Sequence, residues 1–337
     1  MTLHTPASRR LASYSPGEGC LAPRASTISD AQSIGLDGRW RFRLNPSVRE
    51  MTEGFQEPGF DDSAWDHMRV PGLWQMEGLR DENGDLLDVS EARFGLPAYT
   101  NVVYSFPVDP PHPPEDNPTG EYRREFVLDS VAPGTRWVLR FEGVDSHFTV
   151  WLNGTELGWA TGSRLPAEFD ATEALRAGRN VLAVRVHQWS AGSYLEDQDM
   201  WWLSGIFRSV HLIERRPGAI GDHFVHADFD HRTGEGLLLV ECDVPAVVDI
   251  PELGITDLPA YSRGVSAVQG SMCAILCGSP AGRSVMPSSG MSTTAGTSHS
   301  TRSSPSPVRW SKSACTKWSP IAPGRRSIRW TERKMPE

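Results

Sequence analysis

Short segments of alternating polar and apolar residues, separated by turn-forming pairs, run from about residue 36 to about residue 215 of this chain. A period of two sends successive side chains to opposite faces of an extended strand. In 181–186 and the residue after it, Val184 and Val186 point one way while Arg185 and His187 point the other, as in a sheet with one buried face. The same pattern recurs in 39–44, 122–127, 137–141, 149–152 and 207–213, and nine of the twelve tryptophans fall in this stretch. Turn formers lie between the segments: Pro133-Gly134, Asn153-Gly154 and Ala177-Gly178. Many short strands at this spacing predict an all-β sandwich or barrel rather than a parallel sheet with crossover helices. One short helix is expected at 171–175. From about Ile220 a second β unit is expected, with strands at 224–229 and 237–244 across a turn at 233–236, as the start of an incomplete immunoglobulin-like sandwich.

The two ends read differently. Residues 1–30 are rich in Ser, Pro, Ala and Gly without hydrophobic period, so they are expected to form a disordered tail. Residues 262–337 are Ser-rich, carry 11 basic against 2 acidic residues, and keep no period of 2 or 3.6, so a disordered Ser/Arg/Pro-rich tail is expected there too. An acidic, Trp-rich region joined to a basic tail is what a shifted reading frame in a GC-rich gene would produce, and a genuinely disordered basic tail is the alternative. The domain map is therefore 1–30, 31–216, 217–261 and 262–337.

A net charge of −9 argues against nucleic-acid and anionic-membrane partners, which need a basic face. Five scattered cysteines make no disulfide framework, and the twin Arg9-Arg10 is not followed by an apolar run of export-signal length. A cytoplasmic protein is expected. The histidines show no metal spacing and are expected on strands or at the surface, and Cys273 and Cys277 have no second pair, so zinc is not expected.

The motifs Leu36-Asp37-Gly38-Arg39-Trp40 and Val70-Pro71-Gly72-Leu73-Trp74 resemble the jelly-roll sugar-binding domain of glycoside hydrolase family 2, and Tyr99-Thr100-Asn101-Val102, Phe141-Glu142-Gly143-Val144-Asp145-Ser146, Ser163-Arg164-Leu165-Pro166 and Leu195-Glu196-Asp197-Gln198-Asp199-Met200-Trp201, in that order, resemble its β-galactosidase branch. The resemblance covers about 34 to 244. It implies a jelly-roll, galactose-binding-domain-like β-sandwich over 31–216, followed by an immunoglobulin-like domain. A catalytic barrel carrying two glutamates is expected beyond this chain, which would then be inactive alone. The resemblance also implies a β-galactoside as ligand, the barrel as partner, a homo-oligomer in the full-length family, and sodium and magnesium as cofactors. A free-standing carbohydrate-binding module, or an assembly domain pairing with a separate barrel subunit, are the alternative readings.

Two residues are singled out by resemblance as substrate-binding. Asn101 matches a loop position near the galactosyl pocket, where an amide can both donate to and accept from hydroxyls. Asp199 matches a carboxylate that contacts the sugar and a sodium ion. No catalytic residue is expected in this chain. A pair drawn from Glu196, Asp197 and Asp199 is disfavoured, because retaining hydrolysis needs carboxyl groups across a cleft rather than neighbours on one loop. Trp201 and Trp202 are adjacent and should face opposite ways, so at most one of them meets a ligand.

Overall fold

The structure, a computed structural model, describes residues 6–25, 29–81, 83–100, 103–196, 199–216, 219–232, 235–243, 266–269, 272–275, 318–320 and 326–331. The chain divides into two units, Met1–Pro23 with Ile28–Arg216, and Arg24–Thr27 with Pro217–Glu337.

Among its described residues the first unit contains the helices α1 (Pro6–Leu11) and α2 (Trp74–Glu77) and fifteen strands. In chain order these are β1 (Gly17–Glu18), β2 (Ser33–Gly35), β3 (Gly38–Asn45), β4 (Asp66–Val70), β5 (Ala98–Tyr99), β6 (Thr119–Leu128), β7 (Arg136–Phe141) and β8 (Val144–Asp145). There follow β9 (His147–Leu152), β10 (Thr155–Ala160), β11 (Ala167–Asp170), β12 (Gly178–His187), β13 (Trp201–Trp202), β14 (Gly205–Ile206) and β15 (Val210–Arg215). A seven-stranded sheet in the order β1-β10-β9-β12-β6-β3-β4 and a four-stranded sheet in the order β11-β7-β15-β2 make the two layers. The fold is the all-β sandwich that the alternation predicts.

The spine is the ten-residue antiparallel ladder of β6 and β12, from Leu128↔Gly178 to Thr119↔His187. Trp40, Phe42, Tyr122, Phe141, Val184, Val186 and Leu212 fill a single core between the sheets. Each such side chain contributes about 1.5–3 kcal/mol through removal from water. The indole of Trp40 also donates to the Leu36 carbonyl at 2.8 Å, so its polar atom is satisfied inside that core. The Asn153-Gly154 pair makes the β9–β10 hairpin, with both residues at positive φ (53° and 87°), the twist that a two-residue connection requires.

In the first unit three expectations differ from what is seen. The large sheet is covered on both faces: Phe55, Trp65 and Ala183 form a second buried cluster with Phe60 and Trp151 packed against it, and His187 is buried rather than solvent-facing. Residues 171–175 make only one turn, Leu175 N–H donating to the Ala171 carbonyl at 3.0 Å. There the Asn180 side chain binds the Arg176 N–H and carbonyl and turns the chain into β12. Within 1–30, α1 is helical, Leu11 is buried, and β1 pairs with β10 through Gly17↔Ala160 and Glu18↔Trp159. That attachment is made by backbone. A Cβ at Gly158 would sit 2.2 Å from the Glu18 carbonyl oxygen, so glycine here permits the contact, and hydrophobic period carries no trace of it.

In the second unit, β16 (Asp222–Asp230) and β17 (Glu235–Asp243) form the hairpin expected near 224–244. Four short strands fall within 262–337: β18 (Ser266–Gln269), β19 (Met272–Ile275), β20 (Trp318–Pro320) and β21 (Arg326–Thr331). The sheet order is β16-β17-β21-β20, and β18 pairs with β19. The remaining residues of 262–337 lie outside those described.

Candidate functional site

Two motifs a hundred residues apart in the chain meet at one corner of the sandwich. β5 and β13 pair antiparallel, Tyr99↔Trp201 and Ala98↔Trp202. Side chains lock the pairing: the Trp202 indole donates to the Thr100 hydroxyl at 2.6 Å, and the Tyr99 and Trp201 rings lie 5.7 Å apart. The Tyr99 hydroxyl donates to the Asp199 carboxylate. Asp199 is exposed and has φ of 54°, a left-handed conformation that Asp adopts more readily than most residues.

The adjacent tryptophans face opposite ways. Trp201 is 55% exposed. Trp202 turns inward, 5.5 Å from Trp189 and 5.9 Å from Tyr104, and Phe106 and Tyr194 complete this aromatic support. The corner thus offers the exposed rings of Tyr99 and Trp201 and one exposed carboxylate, backed by buried and half-buried aromatics. An aromatic face for sugar C–H groups beside a polar acceptor is a common way to hold a carbohydrate.

The loop leading to Asp199 begins in the single helical turn Ala191–Tyr194, closed by a capping box between Ser190 and Ser193. Glu196 turns away from Asp199 and accepts the Ser163 N–H at 2.8 Å and the Ser163 hydroxyl at 2.5 Å. Glu196 and Asp199 therefore do not converge on one cleft. Asp197 and Asn101 lie outside the described residues, although Tyr99 and Thr100 immediately before Asn101 are held against Trp201 and Trp202. Behind the loop, the Asp145 carboxyl is pushed up to about 7 by burial, against which the Arg164 guanidinium pulls down and Glu196 pushes further up.

A sodium ion needs several oxygen ligands, and Asp199 brings a single carboxylate that is already bound by Tyr99. Among the described residues no group of three His, Cys, Asp or Glu side chains is placed to hold a metal. Sequence reasoning singled out Asp199 and the opposite facing of Trp201 and Trp202 but passed over Tyr99 and Thr100, although their motif was in view. Their roles lie in a pairing between distant segments.

Among the described residues no helix is long and apolar enough to cross a membrane. The family description "Glycosyl hydrolases family 2, sugar binding domain" matches residues 34–216. A β-galactosidase of Arthrobacter sp. (strain B7) is 44% identical over 275 residues, 74% of this chain and 26% of that protein. A β-galactosidase of Vibrio cholerae serotype O1 is 41% identical over 234 residues, 69% of this chain and 21% of that protein. An uncultured Clostridium sp. β-glucuronidase structure aligns with a TM-score of 0.45 and 24% identity, over 66% of this chain and 35% of that one. The chain spans about a quarter of the length of these curated relatives. With more than half of its residues inside the family match, the chain belongs to glycoside hydrolase family 2 and carries that family's sugar-binding domain at 34–216.

Proposed function

We propose that this chain is the sugar-facing, amino-terminal part of a β-galactosidase. In this reading the corner made by 98–101 and 199–202 forms one rim of a galactoside pocket, and a barrel domain outside these residues supplies the hydrolytic carboxylates. The observation that carries it is the convergence of Tyr99, Asp199 and Trp201, which joins the two motifs of the β-galactosidase resemblance in one place. Asp199 would accept hydrogen bonds from sugar hydroxyls, the exposed Trp201 ring would cover sugar C–H groups, and the Asn101 amide would donate and accept beside them. The long protein would work in the cytoplasm, in keeping with the scattered cysteines of this chain, and as a homo-oligomer, as the family resemblance implies.

A rim without the opposing wall contributes binding but no acid, base or nucleophile at the scissile bond. The 337-residue chain should therefore release no nitrophenol from a nitrophenyl β-galactoside above the buffer rate. Turnover that disappears in Asp199→Asn would overturn this reading.

A further inference from the structure

The segment just before β11 is unusual in where its polar groups go. Ser163 is buried, and its N–H and hydroxyl both bind Glu196, three residues before Asp199. The next residue, Arg164, donates to Met200 Sδ at 2.8 Å, one residue after Asp199. Its guanidinium also donates to Asp145 on β8 at 2.7 Å and lies 3.9 Å from Glu196. Arg164 is itself held: its carbonyl accepts from Arg208 at 2.9 Å, and its guanidinium lies 6.0 Å from the Phe207 ring. β8 in turn is paired with β14, Asp145↔Gly205, and Val144 and Ile206 of that pair are buried in the core of the sandwich.

We infer that Ser163 and Arg164 act as a clamp that grips the turn carrying Asp199 on both sides and so positions its carboxylate toward the sugar. The inference rests on the reading of Asp199 as a sugar contact. Its physical basis is that a turn with a left-handed residue stays in one arrangement only when its surroundings over-determine it. Glu196 and Met200 bracket that residue, and both are tied to two consecutive residues of another segment. A planar guanidinium can reach Asp145, Glu196 and Met200 together, whereas an ammonium offers a single point of charge. Arg164 is thus a positioning residue, acting through the residues on either side of Asp199.

The test follows hydrogen exchange by peptide mass spectrometry and binding of methyl β-galactoside in the full chain, comparing wild type with Arg164→Met, Arg164→Lys and Ser163→Ala. Exchange in 192–202 is expected to rise about tenfold or more in Arg164→Met, with β6 and β12 unchanged, because only the local opening free energy falls. Arg164→Lys should fall between, keeping the charge opposite Asp145 and losing the fork. Galactoside affinity should fall in the same order. Ser163→Ala, which leaves the Arg164–Asp145 pair intact, should loosen the same peptides if Arg164→Met proves too unstable to measure. A loosened loop in a protein whose wild type shows no galactoside binding would uphold the clamp and sink the sugar reading. Unchanged exchange in 192–202 in both Arg164→Met and Ser163→Ala would overturn the clamp, and so would undiminished galactoside affinity in variants with a loosened loop.

Discussion

Replacing Arg123 by Met should destabilise the sandwich by about 3–5 kcal/mol, the range for removing one partner from a buried ionic network. Arg123 lies in the middle of β6 with 1% of its surface exposed. Its guanidinium donates to the Asp62 carboxylate at 2.7 Å, to the Phe55 carbonyl, and to the Glu57 carbonyl at 3.0 Å. Those acceptors belong to 55–62, a stretch with neither helix nor strand that brings Phe55 to the outer face of the large sheet. Met would fill the volume while leaving a carboxylate and buried carbonyls without their donor. Urea unfolding should show the lower midpoint, with solvent exposure of Trp65 and Trp151 reported by fluorescence. Arg179→Met is the control. It breaks an exposed pair with Glu125, and such pairs contribute about 0–1 kcal/mol. Equal losses in the two variants would contradict this account of the outer face.

Two buried histidines should each take stability from this unit as the pH falls. His147 has no hydrogen-bond partner for either ring nitrogen among the described residues, and its ring stacks on Trp159 at 5.1 Å. Burial, helped by the Arg10 charge, pulls its pKa down from 6.5 to about 3. His187, 5.6 Å away and bonded to the Thr119 hydroxyl at 2.9 Å, is also held well below 6.5 by burial, then by His147 and Arg185. A histidine with a depressed folded pKa binds fewer protons folded than unfolded, so its contribution is intact above pH 6.5 and is lost as the pH falls below it. At about 1.36 kcal/mol per pH unit, the His147 ring alone costs roughly 3 kcal/mol at pH 4.5, and His187 adds to it in the same direction. Asp145 works in the opposite sense: with its folded pKa raised to about 7 from 3.8, it adds stability as the pH falls through that window. The difference between wild type and His147→Leu therefore isolates the histidine. Thermal melts from pH 7.5 to 4.5 should show a shallower loss in the variant, and parallel curves would contradict the assignment.

The legible part of the fold was the part that periodicity encodes. β3, β6, β7, β9 and β12 were visible from their alternation, and the β9–β10 hairpin from Asn153-Gly154. The second covered face was not, because Phe55 and Phe60 sit in a stretch without period, brought to the sheet by Arg123. His147 and His187 looked like ordinary strand residues because a buried histidine keeps the same alternation as an exposed one. β1 was invisible because Gly17, Gly19 and Gly158 attach it through main chain. At the site, the motif around Asp199 was readable as a resemblance, whereas the Tyr99–Asp199 contact and the Arg164 clamp arise from pairings across 100 and 36 residues that no local window contains.

The central claim is that a galactoside meets this chain at the corner of Tyr99, Asp199 and Trp201. Nuclear magnetic resonance titration of the isotopically labelled chain with methyl β-galactoside, following the indole N–H groups of the tryptophans, tests it directly. The account predicts saturable shifts at Trp201, with smaller ones at Trp202, at an affinity of about millimolar, since a single rim buries little of the sugar. The shifts should vanish in Asp199→Asn. Shifts centred instead on Trp65, which lines a separate groove of about 510 Å³ with Arg43 and Arg93, or shifts at Trp201 that survive Asp199→Asn, would contradict it.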